Sequence, residues 1–90
     1  MKVESYTAYI LRSEKDGRFY TGRTNDLCRR VYEHNRGKVS STRNRRPLVL
    51  VHTETFGSKT EAYARERYLK SLEGGPIKKL LVSQGDSVAL

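Results

Sequence analysis

The chain has 90 residues, enough for one domain and no second core. Only 36% of them are hydrophobic and 31% are charged, yet six tyrosines and clear periodic segments favour a marginal globular fold over disorder. Lysine and arginine total 18 against 10 acidic residues, and the net charge of +8 implies a polyanionic partner, most often nucleic acid.

Residues 6–12, "YTAYILR", are rich in β-branched and aromatic types and predict a strand. "SEKDG" follows as a turn in which Asp16-Gly17 supplies a position tolerant of positive φ, and "RFYTGR" returns, giving a hairpin over about residues 6–23. With Glu14 to Gly17 as the loop, Ser13 pairs with Arg18 and Leu11 with Tyr20. Tyr9 and Tyr20 then lie diagonally adjacent on one sheet face. Thr24 or Asn25 is expected to cap the next helix, with Asp26 near the positive end of its dipole. That helix runs to Asn35–Arg36 and stops at Gly37.

Residues 37–46, "GKVSSTRNRR", lack periodicity and read as a basic surface loop. "PLVLVHTETF" is the third strand, limited at its start by Pro47, with His52 expected to face solvent. "SKTE" at 58–61 has the capping-box pattern and opens a helix through about Ser71. "EGG" ends it, and Pro76 suits the first turn of a short last helix over 76–83. The order β-β-α-β-α-α predicts an α+β domain over residues 1–83, a small, mainly antiparallel three-stranded sheet flanked by helices, with a tail at 84–90.

No apolar run approaches the roughly 20 residues of a membrane span. The N-terminal "MKVESYTAY" carries no signal-peptide apolar region, and the single Cys28 cannot form an internal disulfide. A cytoplasmic location without membrane attachment is expected, and Cys28 is expected in the core as a small residue.

The first helix carries an unusual inner stripe. Leu27 and Val31 mark the face at i and i+4, and Arg30 and His34 complete the i, i+3, i+4, i+7 set where apolar residues are the rule. On the later helix Ala62 and Leu69 mark the apolar line, and Glu66 lies about 40° from it. A carboxylate so placed needs a partner, Arg30 or a cation, because burying it alone is costly. Each feature alone also has a plain structural reading: tyrosines filling a sheet face, a helix-tying Arg30–Glu66 pair, a His34 favouring the helix C-terminus.

In order along the chain, these residues resemble the motifs of the GIY-YIG nuclease superfamily. "TAYIL" with Tyr9, and "YTG" with Tyr20 eleven residues later, resemble its paired motif. "GRTNDLCRRVYEH" places Arg30 ten residues beyond Tyr20 and His34 four further on, and "EAYARERYLK" resembles the helix with the superfamily's metal-binding glutamate, at Glu66. The likeness covers roughly residues 5–82. It is nearest to the small stand-alone bacterial GIY-YIG proteins, relatives of the incision domain of the nucleotide-excision-repair endonuclease, which implies a setting in DNA repair.

The resemblance implies a DNA endonuclease that hydrolyses phosphodiesters with one divalent metal, Mg²⁺ or Mn²⁺. Glu66 would be the sole protein ligand of the ion. Arg30 would bind the scissile phosphate and stabilise charge on the pentavalent transition state. Tyr20 would act at the attacking water with Tyr9 as its positioning partner, and His34 would share the proton traffic or contact the phosphate. Arg23 at the sheet edge and Arg43, Arg45 and Arg46 in the loop are expected DNA-phosphate contacts, with Lys70, Lys78 and Lys79 widening the footprint.

The pattern is departed from in three places. Thr7-Ala8 replaces the first motif's glycine and isoleucine, Thr21 replaces the second motif's isoleucine, and "GGPIKKLL" lacks the asparagine that many family nucleases place after the metal helix. A nucleic-acid-binding module with weak or no cleavage is therefore the alternative function, and a protein-interaction unit a third. With few residues for reading a target, a homodimer or a partner protein is expected to supply specificity.

Overall fold

The structure, a computed structural model, describes residues 5–71 and 74–83. The expected tail at 84–90 lies outside the described residues. Three strands, β1 (Tyr6–Ser13), β2 (Phe19–Thr24) and β3 (Leu48–Phe56), form one antiparallel sheet in the order β2-β1-β3. β1 takes the centre because Thr7 to Leu11 is buried on both faces, as its unbroken run of small and apolar residues permits.

The hairpin has the register read from the sequence. Leu11 pairs with Tyr20, and Ser13 N–H donates to Arg18 C=O at 2.9 Å. Ser13 Oγ accepts from the backbone N–H groups of Lys15 and Asp16, and Gly17 takes a φ of 74° to complete the turn.

β3 meets β1 with an irregularity. Leu11 faces Leu50 but Ile10 faces His52, so Val51 is an extra residue in the ladder. The insertion keeps Leu48 and Leu50 with Tyr9 and Leu11, while Val51 joins Ile10 in a second cluster. α1 (Leu27–Asn35) lays Leu27 and Val31 on the first cluster. α2 (Lys59–Lys70) and α3 (Gly74–Ser83) cover the second with Leu69, Ile77, Leu81 and Val82. The result is an α+β domain in three layers. No described helix is long and apolar enough to cross a membrane.

Several local expectations are corrected. The N-cap of α1 is Asp26, whose Oδ1 accepts from Arg29 N–H at 3.2 Å; Thr24 Oγ1 instead accepts from Asp26 N–H at 3.0 Å and holds the cap in place. Cys28 is exposed, because it lies about 100° around the helix from Leu27, outside the inner stripe. The basic loop contains a 3₁₀ turn, Arg43–Arg45, and α3 begins at Gly74, so Pro76 sits inside its first turn, where no intrahelical N–H donor is needed. His52 is drawn into an ion network: it lies 2.8 Å from Glu54, which also accepts two bonds from Arg65 of α2. The "SKTE" box forms as expected, with Ser58 Oγ accepting from Glu61 N–H at 3.2 Å.

A two-bond clamp fixes α1 to the sheet. Asn35 Nδ2 donates to Leu48 C=O at 3.0 Å and Asn35 Oδ1 accepts from Leu48 N–H at 2.8 Å. Replacing Asn35 with alanine strips both groups of a buried residue, so Asn35→Ala is expected to lower stability by about 1–3 kcal/mol in urea titration. Unchanged stability would show that water satisfies Leu48 equally well.

Candidate active site

The site begins at the middle of β1. Tyr9 is directly paired with Gly22, and a Cβ at Gly22 would stand 2.5 Å from the Tyr9 hydroxyl. Glycine is therefore what lets the Tyr9 ring cross β2. The ring reaches α1, where Tyr9 Oη lies 3.0 Å from His34 Nε2. His34 Nδ1 lies 2.7 Å from Oγ1 of Thr42, whose hydroxyl is in turn 3.5 Å from Val39 C=O. His34 and Thr42 have no exposed surface.

One donor assignment satisfies the whole chain of groups: Tyr9 O–H donates to Nε2, Nδ1–H donates to Thr42, and Thr42 O–H donates to Val39. That assignment requires a neutral imidazole. Burial, reinforced by the nearby Arg30 charge, lowers the His34 pKa from 6.5 to about 4. Burial likewise raises Tyr9 from 10.0 to about 12, against the opposing pull of Arg30. Tyr20 stacks edge-on against His34 at 4.9 Å between ring centroids and lies 6.4 Å from Tyr9, so the two phenols share a face as expected. The Tyr20 hydroxyl makes no hydrogen bond among the described residues.

Arg30 sits one turn before His34 on the same face. Its Nη1 donates to Glu33 Oε1 at 3.2 Å, and the Arg30–Glu66 pair, one of the two alternatives expected for Glu66, is not formed. Glu33, three residues along the same helix, is the nearer acid. Glu66 instead meets Arg23 at the β2 edge, with Arg23 Nε donating to Oε1 at 3.0 Å and Lys70 Nζ to Oε2 at 2.9 Å. The Lys70 ammonium also lies 5.8 Å from the Tyr20 ring centroid, which ties Glu66 to the tyrosine cluster.

Tyr9, Tyr20, His34 and Arg30 thus form one cluster, and Glu66 joins it through Lys70. The loop arginines lie elsewhere. Arg43 Nε donates to Gly37 C=O and Arg46 Nε to Arg43 C=O, while both line a separate cavity beside Lys15 and Asn44. Arg45 is engaged by the hairpin: its Nη2 donates to Phe19 C=O at 3.3 Å and its Nε lies 3.6 Å from Asp16. Lys78 and Lys79 line a groove beside Arg18. Sequence reasoning missed Thr42, Glu33 and the grip of Lys70 on Glu66. Spacing signals the last two, at i+3 and i+4, whereas nothing local marks Thr42.

Among the described residues no three His, Cys, Asp or Glu side chains converge on a metal position. The fit to a hard divalent cation rests on Glu66 alone, a carboxylate only 13% exposed with both oxygens turned to cationic groups. A single carboxylate suits Mg²⁺ or Mn²⁺, which keeps several waters, and does not suit a site built wholly from protein ligands.

Two outcomes follow from the buried cluster. Gly22→Ala is expected to push the Tyr9 ring off His34 and to lower the melting temperature by several degrees, and an unshifted melt would show that β2 yields instead. Because the unfolded chain protonates His34 near 6.5 and the folded one near 4, the unfolded state binds more protons between those values. The His34 contribution, on the order of 3 kcal/mol, is complete above about pH 6.5 and is lost as pH falls toward 4. Melts at pH 7 and pH 4.5 should show a larger acid loss for wild type than for His34→Gln; equal losses would mean the ring is hydrated.

Residues 5–79 match the family model described as the GIY-YIG catalytic domain. A UPF0213 protein of Natronomonas pharaonis is 43% identical over 85 residues, covering 93% of this chain and 98% of its own length. UPF0213 protein YazA of Bacillus subtilis is 41% identical over 73 residues, 80% of this chain and 73% of its own. The solution NMR structure of UPF0213 protein BH0048 from Bacillus halodurans matches with a TM-score of 0.56 and 39% identity, covering 90% of this chain and 86% of that one. GIY-YIG nucleases act on nucleic acid and generally use a divalent metal ion. The motif order, the three-layer fold and the match over residues 5–79 make this chain a member of the GIY-YIG catalytic domain family, with small UPF0213 proteins among its relatives.

Proposed function

We propose that the chain is a metal-dependent endonuclease that hydrolyses phosphodiester bonds in DNA. The observation that carries the reading is the coupling of the Glu66 carboxylate, through Lys70, to a cluster of two tyrosines, a neutral histidine and Arg30. Arg30 offers the scissile phosphate a guanidinium held in orientation by Glu33. Tyr9 keeps its proton near neutral pH and donates it to His34, so its part is to position the cluster. The Tyr20 hydroxyl is uncommitted among the described residues, and Tyr20 is the group that orients the attacking water.

Glu66 would hold Mg²⁺ or Mn²⁺, which supplies a Lewis acid for a phosphoryl oxygen. With an ion held at Glu66, Arg23 and Lys70 would be left to face the phosphates. Arg43 and Arg46 extend the positive surface toward the DNA backbone, whereas the hairpin contacts of Arg45 leave it less to offer. The reading includes a cytoplasmic setting and a homodimer or partner protein for targeting.

One observation favours the second reading, a binding module without cleavage: both oxygens of Glu66 are already held by cations. The deciding experiment incubates single-stranded, duplex and branched DNA and a structured RNA with Mg²⁺, Mn²⁺ or EDTA. Wild type is expected to cut in metal and not in EDTA. Glu66→Ala should lose about a thousandfold in rate, the several kcal/mol expected of a metal Lewis acid, while keeping its affinity within a few-fold. Salt-sensitive binding with no cutting of any substrate would establish the binding module instead.

A further inference from the structure

A cavity of about 400 Å³ opens where α1 and α2 begin. Its lining includes Arg30 of the cluster and Arg23, together with Arg29, Lys59 and Asn25, and its acid is Glu33. Arg23 and Arg30 are engaged, by Glu66 and Glu33 respectively. The side chains of Arg29, Lys59 and Asn25 make no hydrogen bond or ion pair with any described residue. Four cationic side chains against one carboxylate give this cavity a positive lining, and three of its donor-bearing side chains are unengaged among the described residues.

We infer that this cavity is a second phosphate subsite, which takes the phosphodiester next to the one engaged by Arg30. The inference rests on the nucleic-acid reading above and adds to it the group that sets the strand's register. Arg30 lines both the cavity and the tyrosine cluster, so an anion in the cavity lies beside the cluster on the same strand of backbone. Arg29 brings a planar fork suited to two phosphate oxygens, Lys59 a point charge and Asn25 an amide donor. Their role is positioning: a strand anchored here presents one particular neighbouring phosphate to Arg30. Solvated surface charges would attract DNA too, but without preference for any one phosphate.

The test uses Arg29→Ala/Lys59→Ala, whose side chains are exposed and whose removal leaves the core intact. The probe is a set of fluorescein-labelled oligonucleotides, each with one phosphate replaced by a neutral methylphosphonate at successive positions around the cleavage site. Because a binder without cleavage defines no such site, the same scan on a short oligonucleotide covers every position. Wild type should lose roughly 10- to 100-fold in affinity at one flanking position, the loss expected for a charge-assisted contact. In the double variant that penalty should vanish, and the salt slope on duplex should shrink by about two units. Arg43→Ala/Arg46→Ala, which removes the same charge elsewhere, should weaken binding while keeping the wild-type profile.

An identical methylphosphonate profile in wild type and Arg29→Ala/Lys59→Ala overturns the subsite, even if the protein cuts DNA. Loss of the penalty in a protein that binds but never cuts upholds the subsite and removes the nuclease reading. Failure of wild type to bind any oligonucleotide overturns both.

Discussion

A histidine with no exposed surface must be neutral and must satisfy both ring nitrogens, and that constraint organises one side of this molecule. His34 reaches the central strand through Tyr9 and the basic loop through Thr42, so the strand, the helix and the loop that follows it are fixed by one imidazole. The loop from 37 to 46 is thereby part of the core's hydrogen bonding, although six of its ten residues are exposed and four are cationic. Fixing His34 also fixes the rotation of α1. Arg30, one turn earlier, then has to lie on the same face, toward the start of the helix and the open cavity. The arginine's inward aim follows from the histidine's burial.

Electrostatics divide the molecule in a second way. With 18 basic residues and 10 acidic ones, every well-placed carboxylate has a task. Glu33 steadies Arg30, Glu66 holds Arg23 and Lys70, Glu54 holds Arg65, and Asp16 lies near Arg45. Exposed tyrosines take part as well: Arg23 and Arg67 lie over Tyr63, and Arg65 over Tyr68. These pairings hold cations to the frame of the fold and leave Arg29 and Lys59 at the cavity without one among the described residues.

Much of the frame was legible because it depends on local rules. Alternation and an Asp-Gly turn set the hairpin register, Gly37 ended α1, and Ser58 with Glu61 opened α2. The inner stripe of α1 was legible for the same reason, since a helix face depends only on spacing. What failed was pairing across elements. A helical wheel placed Glu66 toward the body but could not say that the β2 edge would bring Arg23 to it before Arg30. The partner of His34 on the loop side was equally hidden, because Thr42 lies in a segment without period, and its burial is a property of the assembled fold. The Val51 irregularity, which turns His52 and Glu54 toward Arg65, is likewise a consequence of matching two strands.

The position of the site follows from the sheet being only three strands wide. β2 is an edge strand, and an edge offers unpaired backbone groups to any passing strand. Here the edge carries Arg23, and α2 brings Glu66 and Lys70 against it, so charge and a helix cover what would otherwise invite pairing. The same covering puts a carboxylate, two cations and Tyr20 at the rim of the buried Tyr9–His34 unit. A wider sheet would hide that rim, and a bare edge would leave it without charge. The polar cluster can therefore be rigid at its root and open at its tip, as the proposed hold on a polyanionic backbone would require.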